Sequence, residues 1–119
     1  MSDARTADPH AGVARELTAF QQNILAVLAD DSRYGLAIKR ELETYYDEEV
    51  NHGRLYPNLD DLVEKGLIEK SELDKRTNEY GLTEEGFETV FEQLSWVFSN
   101  VATDDERAER LRSLVEQYE

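Results

Sequence analysis

One stretch constrains the fold more than any other: HGRLYPNLDDLVEKGLIEK, from His52 to Lys70. Leu55, Leu59, Leu62 and Val63 recur at the spacing that gathers them on one face of an α-helix. Asn51 is a natural N-cap, because its side-chain oxygen can accept from an orphan first-turn N–H. Pro57 falls in the first turns, where a missing N–H is expected to cost little. Gly66 is a natural stop. The helix therefore runs from about Asn51 to Lys65, with a single leucine face that must be buried by its neighbours.

The flanking sequence supplies those neighbours. Leu17, Phe20, Ile24, Leu25, Val27 and Leu28 form a helical stripe, with Thr18 placed to cap it, although the periodicity also tolerates a start near Ala11. A second helix is expected over Tyr34–Tyr46, just after Ser32, on Leu36, Ile38, Leu42 and Tyr45, and Asp47-Glu48-Glu49 ends it. Beyond the third helix, residues 67–70 and 78–82 read as two short strands around a polar loop, Ser71–Thr77, which together make a hairpin. Thr83 then caps a fourth helix with Glu84 and Glu85 in its first turn. A last amphipathic segment covers Asp104–Tyr118. Three helices followed by a two-stranded wing is winged helix-turn-helix order: a mainly α chain with a small β-hairpin, plus helices at either end. The division is a flexible polar tail over 1–12, the winged helix over 13–82 and a C-terminal helical region over 83–119.

Charge cuts across the simplest functional reading. The 119 residues carry 27 acidic against 13 basic side chains, a formal net charge of −14. A chain so acidic ordinarily argues against nucleic acid, whose binding draws its affinity from cations on phosphate. However, the acidic residues are spread along the whole chain, and lysines number 4 against 9 arginines, which suits a cytoplasm of very high salt. At molar salt the Debye length is only about 3 Å, so long-range repulsion is screened. Composition also narrows other classes. With no cysteine, and Met1 the only methionine, sulfur redox chemistry and thiolate metal sites are close to excluded. No apolar run approaches the roughly 20 residues of a membrane span, and the first residues lack a signal core, so a cytoplasmic location is expected. Two histidines 42 positions apart, with no Gly-rich phosphate loop and no H-E-x-x-H, leave little for an enzyme to work with.

The third helix carries the chemistry. On a helical wheel Arg54, Asn58, Asp61 and Lys65 share one flank beside the leucine face. Arg and Asn are the side chains that grip guanine and adenine edges in the major groove, and helix-turn-helix proteins read bases from the start of this helix. The ordinary alternative is a solvated amphipathic helix with an incidental arginine. Asn51 and His52 stand at its start, where a cap and a phosphate contact can coexist. Tyr56 suits either the DNA side or packing.

Several motifs in order then resemble the PadR family of transcriptional regulators: Tyr34-Gly35, Gly53-Arg54-Leu55-Tyr56-Pro57, Gly66-Leu67-Ile68, and Tyr80-Gly81-Leu82-Thr83-Glu84-Glu85-Gly86. The likeness covers roughly residues 20–95. It implies a homodimer that binds a promoter operator in double-stranded DNA and regulates transcription. Departures are Gly53, where the family often has Ser or Thr, and a wing with only Lys75 and Arg76 positive. The acidic surface and short second half resemble haloarchaeal members, which points to an oxidative-stress response. A winged-helix protein-interaction adaptor without direct DNA readout is the alternative.

The expected DNA contacts are thus Asn51, His52, Arg54, Tyr56, Asn58 and Lys65 on the reading helix and Lys75 and Arg76 on the wing. Tyr34, Gly35 and Lys39 are expected at backbone phosphates, with Lys39 and Arg40 equally able to pair with Glu43 or Glu41. Asp60 and Asp61 are the awkward neighbours. No cofactor is expected, except bound K+ or Na+ between such carboxylates and the phosphates. The dimer surface is expected on Phe87, Val90, Phe91, Leu94, Trp96, Val97, Phe98 and Val101, continued by Leu111, Leu114, Val115 and Tyr118. These are more apolar positions than a monomer of this size readily buries.

Overall fold

In the computed structural model, which describes residues 12–74 and 77–119, local signals set most element ends. The expected tail over 1–11 and the wing-tip residues Lys75 and Arg76 lie outside the described residues. A single 3-10 turn, Val13–Glu16, precedes helix α1, Ala19–Asp30. Thr18 opens α1 with a reciprocal box: its hydroxyl accepts from Gln21 N, and Gln21 accepts from Thr18 N. The chain continues as β1 (Arg33–Tyr34), α2 (Gly35–Tyr46), α3 (His52–Glu64), β2 (Ile68–Asp74), β3 (Thr77–Leu82), α4 (Glu84–Val101) and α5 (Asp105–Glu116).

α1, α2 and α3 close on one core. Phe20, Ile24, Leu25 and Leu28 meet Ile38 and Leu42 from α2 and Leu55, Leu59 and Leu62 from α3. Val50 joins it from the turn before α3, and Leu67, Ile68 and Tyr80 join it from the wing. That sheet is antiparallel in the order β1-β3-β2. It corrects the two-strand expectation twice. β1 adds a third strand of two residues, Arg33 opposite Tyr80 and Tyr34 opposite Glu79. The segment 71–74, expected as loop, continues β2, with Ser71 opposite Glu79 and a bulge between Glu72 and Asp74. Past Ile68, β2 is exposed throughout, so its pairing leaves no apolar alternation to read.

The first half of α4 packs on this core, burying Gly86 and Thr89. Thr83 caps it by accepting from Gly86 N and donates to the Gly66 carbonyl. Gly86 lies so close to the Leu67 carbonyl that a Cβ there would collide with backbone. Val90, expected on the dimer surface, is partly buried here and packs against the core. Beyond it α4 and α5 turn most of their apolar side chains outward.

Candidate nucleic-acid interface

The turn between α2 and α3 is built to aim α3. Asp47 ends α2 in the left-handed region, φ 56°. Glu43 accepts from Val50 N at 2.9 Å and pairs with Lys39 at 2.9 Å. Its carboxyl is held below the ordinary value, first by the Lys39 hydrogen bond and then by Val50 N. Of the two places expected for Lys39, a phosphate or a pair with Glu43, the structure shows the pair, which braces the turn. Asn51 then caps α3, accepting from Arg54 N at 2.8 Å.

Around α3 the side chains sort into four strips. Leu55, Leu59 and Leu62 are fully buried. Opposite them an exposed ridge is formed by Gly53, Pro57, Asp60 and Glu64. Pro57 is the sixth residue of the helix and lies past the free N–H groups, so it does withhold a bond from the Gly53 carbonyl. The missing N–H is therefore one the helix would have used, which corrects the expectation that it costs little. The ridge it lies on carries two carboxylates and no cation.

The flank of Arg54, Asn58, Asp61 and Lys65 is where expected base readers and structure diverge most. The Arg54 guanidinium carbon lies 3.9 Å from the centroid of the Phe20 ring and 5.9 Å from that of Tyr46. The two rings are themselves stacked at 6.0 Å, and Asn23 donates to the Tyr46 hydroxyl. Arg54 stays solvent-exposed on this aromatic seat. Asn58 is committed: it donates to the Arg54 carbonyl at 2.8 Å and accepts from Gln21 Nε2 at 3.1 Å. Asp61 accepts from Gln21 at 2.9 Å and from Lys65 at 2.8 Å. These bonds, Lys65 first, hold the Asp61 carboxyl below its ordinary value. This flank is therefore partly a seam with α1.

On the other side His52 stacks on Tyr56, rings nearly parallel at 5.4 Å. Tyr56 in turn occupies the space a side chain at Gly35 would need. Thus Tyr34-Gly35 and Tyr56 meet, and the exposed His52 joins the start of α2. Tyr34 caps α2 without a side-chain hydrogen bond and is half exposed. Sequence reasoning missed Phe20, Tyr46 and Gln21 as supports of α3. Only the capping box at Gln21 had a local signal.

Among the described residues no cluster of His, Cys, Asp and Glu could hold a metal ion, and no helix is long and apolar enough to cross a membrane. The model of the transcriptional regulator PadR-like family matches residues 24–92. No curated protein matches. Among solved structures, RosR of H. salinarum, grown from NaBr, is 67% identical, covers 87% of this chain and 94% of its own, and superposes with a TM-score of 0.85. The complex structure of hsRosR-S4 is 63% identical over 97% of this chain and 95% of that one, with a TM-score of 0.86. F93 from STIV, a winged-helix DNA-binding protein, shares the fold at 18% identity and a TM-score of 0.57, over 72% of this chain and 94% of its own.

Proposed function

The chain belongs to the PadR-like family of transcriptional regulators, and on that premise we propose that it binds operator DNA as a homodimer, with α3 in the major groove. It is a DNA-binding regulator and not an enzyme. One observation carries the placement of α3: its leucine face is buried while the opposite ridge, with Arg54 on one side and His52 and Tyr56 on the other, stays open. Arg54, His52 and Asn51 are the primary contacts in this reading. Asn58 and Lys65 act mainly through the helix that they brace. Tyr34 and Gly35 offer first-turn N–H groups of α2 to a phosphate, and Lys75 and Arg76 would add two cations for the DNA backbone. Arg54→Ala should weaken binding to an enriched duplex by about tenfold or more, the scale of a lost bidentate base contact. Unchanged binding would refute this placement.

The homodimer is supported by the apolar side chains left open on α4 and α5: Phe91 is 62% exposed and Trp96 66%. Two copies would present two α3 helices to half-sites about 10 bp apart. Asp60 and Glu64 on the outward ridge favour K+ or Na+ held between carboxylate and phosphate, in a cytoplasm of high salt. Affinity that holds or rises with KCl is the outcome of this arrangement, while a steep ordinary fall would rule it out. The likeness to haloarchaeal members extends the reading to oxidative stress. Lacking cysteine, the chain would receive that signal through an ion, ligand or partner. Genome-wide occupancy with and without oxidant tests it, and occupancy blind to oxidant would count against it.

A further inference from the structure

A single buried amide ties the reading helix to the rest of the domain. Gln21 is 6% exposed, and its side-chain polar atoms are all engaged. Its oxygen accepts from Thr18 N at 3.2 Å. Its two N–H groups reach two different residues of α3, Asn58 Oδ1 at 3.1 Å and Asp61 Oδ2 at 2.9 Å. Both acceptors are oriented in turn. Asn58 must face its oxygen toward Gln21 because its nitrogen donates to the Arg54 carbonyl, and Asp61 is held by Lys65. Beside the braced turn before α3, the fork adds a directional constraint on the rotation of α3 and its place along α1, which the apolar leucine contacts alone do not supply.

We propose that Gln21 is a positioning residue for sequence readout: without touching DNA, it sets the rotation of α3 and so which base edges Arg54 and the Gly53–Asp60 ridge can meet. Base contacts are directional and lose discrimination when the helix turns, whereas phosphate contacts tolerate small shifts. Loss of the fork should therefore reduce the preference for the operator more than the overall grip on DNA. A buried fork is also costly to halve, because an acceptor left unmet keeps its desolvation penalty. This inference rests on α3 being the reading helix.

Gln21→Glu is the decisive variant. It keeps the volume and the oxygen that completes the Thr18 box, but places a second carboxylate oxygen against Asp61 and Asn58. The probe is the duplex that the wild-type chain enriches from a random pool, against a scrambled duplex of the same composition, in molar KCl. The ratio of the two affinities should fall roughly tenfold in Gln21→Glu, within the range of couplings between contacting residues, with scrambled binding changed far less. Adding Asp61→Asn, whose amide can donate to the new carboxylate, should restore part of the ratio, since the Asn58 oxygen still faces it. A Gln21→Glu ratio equal to wild type overturns the proposal, as does a loss that Asp61→Asn does not repair. Arg54→Ala separates this from failure of the premise: if it weakens binding while Gln21→Glu keeps its ratio, only the Gln21 role falls. If neither variant alters binding, α3 is not the reading helix and both readings fall.

Discussion

The two ends of this molecule obey different rules. In the winged helix, the three leucines of the α3 stripe are fully buried, and the capping, bracing and seam bonds are made within the chain. In α4 and α5 the stripe of Phe87, Phe91, Leu94, Phe98 and Val101 is left open, and Tyr118 is 79% exposed. Burial of apolar surface is the dominant favourable term in folding and association; the first region has its own sealed core, although Leu36, Tyr45 and Leu73 remain exposed, while the second leaves most of its apolar stripe uncovered. The contrast supports the proposed division of labour: a rigid reader, and an apolar surface on α4 and α5 that a second copy would cover.

The sharpest way to break that contrast is Phe91→Asp with Leu94→Asp. Both side chains face out, so the winged helix should keep its helical spectrum while sedimentation shifts from dimer to monomer. Operator affinity should fall by about a hundredfold or more, as two linked half-sites become one. A dimer that survives would mean another surface joins the copies. Next in size is Leu59→Ala, which opens the sealed core and should cost about 2–5 kcal/mol in a denaturant melt. Phe91→Ala, measured at concentrations where only monomer is present, should cost far less, which sharpens the comparison. Gly86→Ala tests the joint between the regions. Its methyl meets the Leu67 carbonyl, and about 1–3 kcal/mol should be lost.

Smaller effects probe the braces. The Asp61 and Glu43 carboxyls are lowered in the fold, so their stabilisation is present above their ordinary values of 3.8 and 4.5 and is lost as pH falls through the folded values. The urea midpoint should therefore drop on acidification below about pH 4.5, and less steeply in Asp61→Asn. The smallest is Asp47→Gly at φ 56°, where relief of a left-handed side chain should raise stability by a few tenths of a kcal/mol.

Much of this was legible because it is local. Thr18, Asn51, Thr83 and the leucine stripe each act within a few residues, and each works where the pattern put it. The motif glycines were visible but their reasons were not. Gly35 makes room for Tyr56, and Gly86 lets α4 lie on Leu67, both contacts that only the folded chain brings about. β1 is too short to carry a period, and the outer half of β2 has solvent on both faces, so neither could be read from hydrophobicity. Asn58 and Lys39 have the residue types of DNA contacts; the i,i+4 spacing already offered Glu43 to Lys39, whereas Gln21, which claims Asn58 from another helix, became evident only in three dimensions. Residue type indicated what α3 could touch. Packing decides which of those groups are free to do so.

The most direct test of the account is selection of bound duplexes from a random pool by the full chain in molar KCl, with the enriched sequences aligned. A homodimer reading through α3 predicts two inverted half-sites with centres about 10 bp apart, and loss of specific base positions, not of spacing, in Arg54→Ala. Enrichment of a single unpaired site, or of no sequence at all, would contradict it.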